Sequence, residues 1–479
     1  MIQLSIERVN SDLIVSENLQ NSIPIYFIEE IKKLKKLVPA KDYKYLKAIN
    51  FQGFYGDKVI LSKPDGSIGK VIIGCNSLER SNPTFFIGSQ ISKLPEGIYS
   101  IKNLPENLNV IELYLGFYFS FYSFSHYKKF KFKTPKITNK KLCESSLTDH
   151  SRFFYLAESE YIARDLINSP ANFLGPSELQ DYAKSFSEYH KTSFSSILGT
   201  QLKKENLPLI HEVGRASVKE PRLIEIRYGR NDSPFSITLV GKGVCFDSGG
   251  LNLKSSVGMI NMKKDMAGAA VVLGLGHYLI RQELDLNLRI LIPCVENSIS
   301  NNAYRQGDVL KSRSGKFVEV KNTDAEGRLI LADTLTLAVE ENPDLLVSFA
   351  TLTGSARVAM GTDLTPFFST SDYVANLVKS GGEEFFDPVW QLPFYEDYQE
   401  QLGSEIADLN NAPSGGMAGS ITAALFLKQF TNKHKKFLHF DIYGWNQKSR
   451  PGKTHGGLLQ GARALALAIE KMVEEKNLN

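Results

Sequence analysis

Asp324 and Glu326 stand two residues apart in Lys321-Asn-Thr-Asp-Ala-Glu-Gly-Arg-Leu329, just ahead of an apolar run of helical period. Carboxylates this close repel each other unless a cation lies between them. Taken alone, the pair reads as ordinary acidic decoration of a helix N-terminus, where it complements the dipole. Two other carboxylates change that reading. Asp247 lies in the glycine-rich run Gly241-Lys-Gly-Val-Cys-Phe-Asp-Ser-Gly-Gly-Leu-Asn-Leu-Lys254, and Asp265 in Met262-Lys-Lys-Asp-Met-Ala-Gly-Ala269 heads a helix whose first turn is made of small residues. None is followed by a histidine at ligand spacing, and no His-Glu-x-x-His occurs. Such an oxygen-rich set suits one or two hard or borderline divalent cations. Two cations sharing carboxylates activate water and stabilise a developing oxyanion.

The elements that must position these residues follow from the pattern. Short β-type runs occur at Ile237–Val240, Leu288–Ile292, Leu345–Phe349 and Phe437–Phe440, with helical runs at 266–281, 328–341, 418–430 and 457–475. Strands alternating with helices imply an α/β fold, here a mixed, mostly parallel sheet flanked by helices. The carboxylates follow strands or open helices, where chemistry collects in such sheets. Before residue 150 the chain is rich in Lys, Tyr and Phe and poor in chemical motifs, which marks a smaller, divergent α/β domain. In it Phe27–Leu37 reads as a surface helix, Val59–Ser62 and Val71–Gly74 as strands around a Pro64-Asp-Gly66 turn, and 108–124 as a buried aromatic helix. The lysine-rich stretch Lys128 to Lys141 reads as the exit. The expected organisation is an N-terminal domain over 1–145, a linker helix over 146–170 and a catalytic domain over 171–479.

Composition excludes little but points one way. The 479 residues suffice for two domains, and a net charge of +4 is too small to argue for nucleic acid. The four cysteines are scattered, without C-x-x-C, which fits a reducing compartment and argues against a thiolate zinc site. The apolar run Val110–Phe124 falls short of the ~20 residues that span a bilayer. The first residues lack a basic segment followed by an apolar one, so no leader and a cytoplasmic location are expected.

The residues resemble a known family. Asn322–Leu329 matches the signature of the leucyl aminopeptidase (cytosol aminopeptidase) family over all eight positions. Gly241–Gly250 and Lys263–Ala269 match its other metal-site segments, and Asn302–Asp308, Thr351–Gly354 and Asp165–Asn172 match further segments, in family order. The resemblance implies a metal-dependent aminopeptidase that releases N-terminal residues from peptides, using two zinc or manganese ions. Lys242, Asp247, Asp265 and Glu326 would hold one ion; Asp247, Asp324 and Glu326 would hold the other, helped by the Asp324 carbonyl. Lys254 would donate to the scissile carbonyl, and Arg328 would anchor a bicarbonate that acts as general base. Met262, Thr351, Leu352, Gly354 and Tyr443 would border the pocket for the first side chain. The segment Phe440-Asp-Ile-Tyr-Gly-Trp-Asn446 departs from the usual Asp-Ile-Ala-Gly, so a preference for leucine is not implied. Ala267 stands where glycine is usual. A homohexamer with inward-facing sites is also implied by the resemblance, not by periodicity. The competing reading is DNA binding through the lysine clusters of the first domain.

Overall fold

The computed structural model describes residues 4–15, 22–76, 84–106, 108–128, 140–143, 150–413 and 415–478. Its contacts divide the chain into two units. One comprises Glu158–Gln447 and Gly456–Asn479 with Met1–Ile6, and the other comprises Glu7–Ala157 and Lys448–His455. The boundary therefore falls inside the helix His150–Asn168, and a short late segment belongs to the N-terminal unit.

The larger unit is built on a nine-stranded sheet. Its centre is four strands in parallel, in the order Phe437–Asp441, Leu345–Ala350, Ser236–Gly241 and Asn287–Asn297. Antiparallel neighbours, Thr365–Ser369 on one side and Arg222–Tyr228 on the other, flank that centre. The central strands are apolar and buried along their length, as parallel strands covered on both faces must be. The helix Glu326–Val339 packs on these strands within one apolar cluster, together with Pro208–Gly214 and Gly419–Lys428. The helix Ala267–Arg281 packs on the same strands but contributes nothing to that cluster.

One irregularity in this sheet matters. Ser236–Gly241 pairs with residues 287–291, and Gly243–Asp247 pairs with the continuation of the same neighbour, residues 294–297. The chain runs as one strand interrupted at Lys242. There the Lys242 N–H donates to the Phe349 carbonyl (2.9 Å), and the Lys242 carbonyl accepts from Ala269 N–H (2.9 Å). A strand end and a helix start are thus joined through one residue. The helix can come this close only because residue 268 is glycine: a Cβ there would overlap the Phe349 carbonyl oxygen and lie 2.7 Å from Lys242 N.

The N-terminal unit holds a six-stranded sheet in the order Ile14–Val15, Lys140–Cys143, Gly97–Asn103, Ile23–Ile28, Ile68–Gly74 and Lys58–Ser62, parallel except for the last pair. It corrects the expected helix over Phe27–Leu37. Phe27 and Ile28 close a buried strand between two parallel neighbours, and only Ile31–Leu37, where the lysines lie, is helical. The aromatic helix is shorter than 108–124. It spans Val110–Phe119, because the Asn109 side chain caps the Ile111 N–H (2.8 Å) at one end and Ser120 bonds back to the Gly116 carbonyl (2.6 Å) at the other. Most of the lysine-rich stretch, residues 129–139, lies outside the described residues, and Lys140–Cys143 is a strand. In the larger unit the last helix is Ala462–Leu478, and residues 456–457 instead pair with Trp445–Asn446.

Gly268→Ala is expected to destabilise the larger unit by about 3 kcal/mol, the upper end of ordinary overpacking costs. Gly258→Ala, where a Cβ meets nothing closer than 3.4 Å, serves as the control and should change stability by less than about 1 kcal/mol. Urea unfolding midpoints of the two variants check this.

Candidate metal centre

Each acidic residue is delivered by a separate local structure. Asp247 ends the strand Gly243–Asp247. Asp265 sits in a 3₁₀ turn, Met262–Met266, which runs directly into the helix Ala267–Arg281 rather than starting it. Glu326 is the first residue of the helix Glu326–Val339, and Asp324 precedes it in the loop. Oxygen atoms of Asp247, Asp265 and Glu326 all lie within 4.8 Å of one another, and all three residues are buried. Asp324 joins them through Lys254, whose ammonium contacts Asp247 Oδ2 (2.8 Å) and Asp324 Oδ1.

Lys242 closes the cluster from the other side. Its buried ammonium lies 2.8 Å from Asp265 Oδ2 and 3.0 Å from Glu326 Oε1, and it donates to the Thr351 carbonyl (3.0 Å). It reaches Glu326 by crossing the backbone of Gly327, where a Cβ would come 2.7 Å from Lys242 Nζ. The glycine of the sequence motif is therefore the space that the lysine occupies.

The cluster's electrostatics follow from burial and crowding. Burial opposes the charge on Lys242, and Asp265, Glu326 and Asp247 outweigh it, so the ammonium is held well above its ordinary value. Lys254 is raised in the same way, chiefly by Asp247 and Glu326 against burial. Burial and then the Asp247 charge push Asp324 up to about 6 and Glu326 up to about 8. Among the described residues, Glu326 Oε2 is buried with no hydrogen-bond partner. A carboxylate-dominated donor set, a partnerless buried carboxylate oxygen and acidic oxygens already converged fit one or two divalent cations.

Arg328 lies within the first turn of the same helix, buried, with its guanidinium 6.0 Å from the Phe426 ring. Its Nε and Nη1 have no hydrogen-bond partner among the described residues. Burial lowers it to about 10, against the pull of Asp441 and Glu326. A buried fork with two unused donors is built for a planar anion.

Two of the expected pocket residues are tied to buried acids by hydrogen bonds. Thr351 donates its hydroxyl to Asp265 Oδ1 (2.6 Å), and the Leu352 N–H donates to Asp441 Oδ1 (3.1 Å). Tyr443 follows Asp441, and its loop presses on the metal side of the sheet: a Cβ on Gly444 would lie 2.5 Å from the Ala267 methyl and 3.5 Å from the Thr351 methyl. Met262 begins the 3₁₀ turn and Gly354 begins the helix Gly354–Met360.

Several supporting residues carried no signal in the sequence. Asn297 donates to Asp247 Oδ1 (2.8 Å) and to the Thr323 carbonyl (3.0 Å), which ties two ligand loops together. The Thr323 hydroxyl donates to the Gly249 carbonyl (2.7 Å) and accepts from the Asn252 N–H (2.8 Å). Tyr304 adds a second bond to the Thr323 carbonyl, from its hydroxyl (2.6 Å). Asp441 is saturated by the Leu352 and Thr353 N–H groups and the Thr353 and Ser420 hydroxyls. Cys245 packs against Cys294, Sγ to Sγ 3.6 Å, within the buried sheet.

Cation binding to this cluster must displace protons. Glu326 near 8 and the Lys242 ammonium hold protons at neutral pH, and below about 6 Asp324 holds one as well. Affinity for Mn²⁺ or Zn²⁺ is therefore expected to rise between pH 6 and 8.5, with protons released on binding. Calorimetry in buffers of different ionisation enthalpy measures the release, and a pH-independent affinity would contradict the assignment.

Comparison with known proteins follows the same residues. The chain is similar to the cytosol aminopeptidase of Encephalitozoon cuniculi, 34% identical over 411 residues, which is 84% of this chain and 83% of that protein. Among solved structures it resembles the cytosol aminopeptidase from Coxiella burnetii, at a TM-score of 0.88 and 36% identity, covering 97% of this chain and 100% of that one. It also resembles the bottromycin maturation enzyme BotP in complex with Mn, at a TM-score of 0.82 and 26% identity, covering 94% and 99%. Residues 161–467, which carry every residue of the cluster described above, match the model of the cytosol aminopeptidase family's catalytic domain, and the chain belongs to that family.

Proposed function

We propose that this chain is a two-metal aminopeptidase that releases N-terminal residues from peptides. The observation that carries the reading is the convergence of Asp247, Asp265 and Glu326 oxygen atoms within 4.8 Å in the interior. Lys242, Asp247, Asp265 and Glu326 would hold one ion, and Asp247, Asp324 and Glu326 the other, with Asp247 and Glu326 shared. Bound divalent cations supply a Lewis acid and acidify water. As a ligand Lys242 must be neutral, which dications at the cluster favour by removing its reason to stay charged.

The chain's own residues do the rest. Lys254 remains charged and donates to the oxygen that gains charge as the scissile carbonyl is attacked. Arg328 would hold a bicarbonate at its two unused donors, and such an anion would supply a general base. Asn297 and Thr323 hold the Asp247 and Asp324 loops in register, so that the donors need no rearrangement during the reaction. The family resemblance brings zinc or manganese, a homohexamer and a cytoplasmic location into the same proposal. No observation here favours the DNA-binding alternative.

Purified protein supplied with Mn²⁺ or Zn²⁺ is expected to hydrolyse aminoacyl anilides. Glu326→Ala should abolish this, and full activity after chelation and dialysis would overturn the reading. Lys254→Ala should lower kcat by about 10²–10³-fold with a smaller effect on KM, as for other lost oxyanion donors; steady-state kinetics on the two variants decide it.

A further inference from the structure

Two cations beside the metal cluster lack counter-ions. Lys264 is only 5% exposed, yet no carboxylate lies within ion-pair distance of its ammonium among the described residues. Its ammonium lies 4.6 Å from the centre of the Tyr443 ring. The Arg357 guanidinium lies 5.0 Å from the centre of the same ring, and it too has no ion pair among the described residues. A single aromatic ring contributes about 0.5–2 kcal/mol to a cation, less than an ammonium loses when it leaves water.

The nearby acids are already committed. Asp265 gives one oxygen to the Thr351 hydroxyl and the other to Lys242. Asp441 accepts four hydrogen bonds. The neighbouring Lys263 shows what a settled lysine looks like in this place: it donates to the Asn168 carbonyl (2.7 Å) and lies over Trp445. Lys264 has the ring alone. Arg357 and Tyr443 line one small depression with Thr353, Ala356 and Gln460. Asp441 lines the same depression and accepts from the Leu352 N–H, next to the Thr351 that bonds Asp265, and Lys264 immediately precedes Asp265 in sequence.

We propose that Lys264 and Arg357 form a carboxylate-binding subsite around Tyr443, and that the enzyme favours peptides whose first residue is glutamate or aspartate. This rests on the aminopeptidase reading above and names its substrate class. The incoming side chain supplies the counter-charge that the fold omits. Tyr443 is then the wall that holds both cations, which accounts for a bulky ring where the family usually has a small residue.

Glutamyl and glutaminyl anilides differ in charge and hardly in shape, so they isolate the effect. On the metal-loaded protein, kcat/KM for the glutamyl substrate should exceed that for the glutaminyl and leucyl substrates by at least about tenfold. Lys264→Met should bring the glutamyl-to-glutaminyl ratio to near one, and Arg357→Gln, at an exposed position, should lower it part of the way. Calorimetry with free glutamate against free glutamine gives the same comparison without turnover, and glutamate should bind at least about tenfold tighter. Hydrolysis of the leucyl and glutaminyl substrates with no gain for glutamyl overturns the inference and leaves the peptidase reading standing. So does an equal loss for all substrates in Lys264→Met. A carboxylate preference seen only with free dipeptides, whatever their first residue, assigns the cations to the peptide C-terminus and overturns it as well. Hydrolysis of none of the substrates overturns both readings together.

Discussion

The contact between the Lys242 ammonium and the carboxylates of Asp265 and Glu326 is the constraint around which the larger unit is arranged. Three acids and a lysine are buried within a few ångströms of one another. Such a group persists in the interior only when every charge has its answer nearby, because an unpaired buried ion costs several kcal/mol. The backbone meets this demand. The strand breaks at Lys242 and turns the side chain toward the acids, and Gly268 and Gly327 give up their side chains so that a helix and the lysine can pass. The apolar sheet and its two layers of helices hold that junction in place.

Much of this was legible in the sequence because the charged residues of the cluster lie close together along the chain. Asp324 and Glu326 share one short segment, and Lys242, Asp247 and Lys254 share another, so their chemical types show at a glance. The alternation of apolar strands and amphipathic helices likewise revealed the parallel centre of the sheet. The braces were not legible. Asn297 bonds to Asp247 across fifty residues, and Asp441 collects donors from a loop at Leu352 and a helix start at Ser420. A hydrogen bond between remote residues leaves no periodic trace. Lys264 was hidden for another reason: a lysine beside a lysine resembles solvated surface, and only packing shows that this one is inside.

The misplaced boundaries have a common cause. At Phe27–Leu37 a buried strand runs into a lysine-bearing helix after two residues. Apolar residues at the end of one and the start of the other merge into a single helical pattern. The strand is identified by its neighbours, since Phe27 and Ile28 pair with Ile73 and Gly74, and no local rule anticipates a partner forty-six residues away. In the aromatic helix the caps at Asn109 and Ser120 set the ends, and side-chain hydrogen bonding overrides an apolar run that continues beyond them.

The residues proposed to hold metal come from a strand end, a 3₁₀ turn, a loop and a helix start, separated by up to about eighty residues of chain. An unfolded chain therefore holds no such site, and whatever free energy a cation gains on binding is added to the folding of the larger unit. An ion bound there would act as a reversible cross-link between segments that covalent structure leaves far apart. It would perform for this cysteine-poor chain the service that a disulfide performs for a secreted one, with its strength set by free metal concentration instead of redox state.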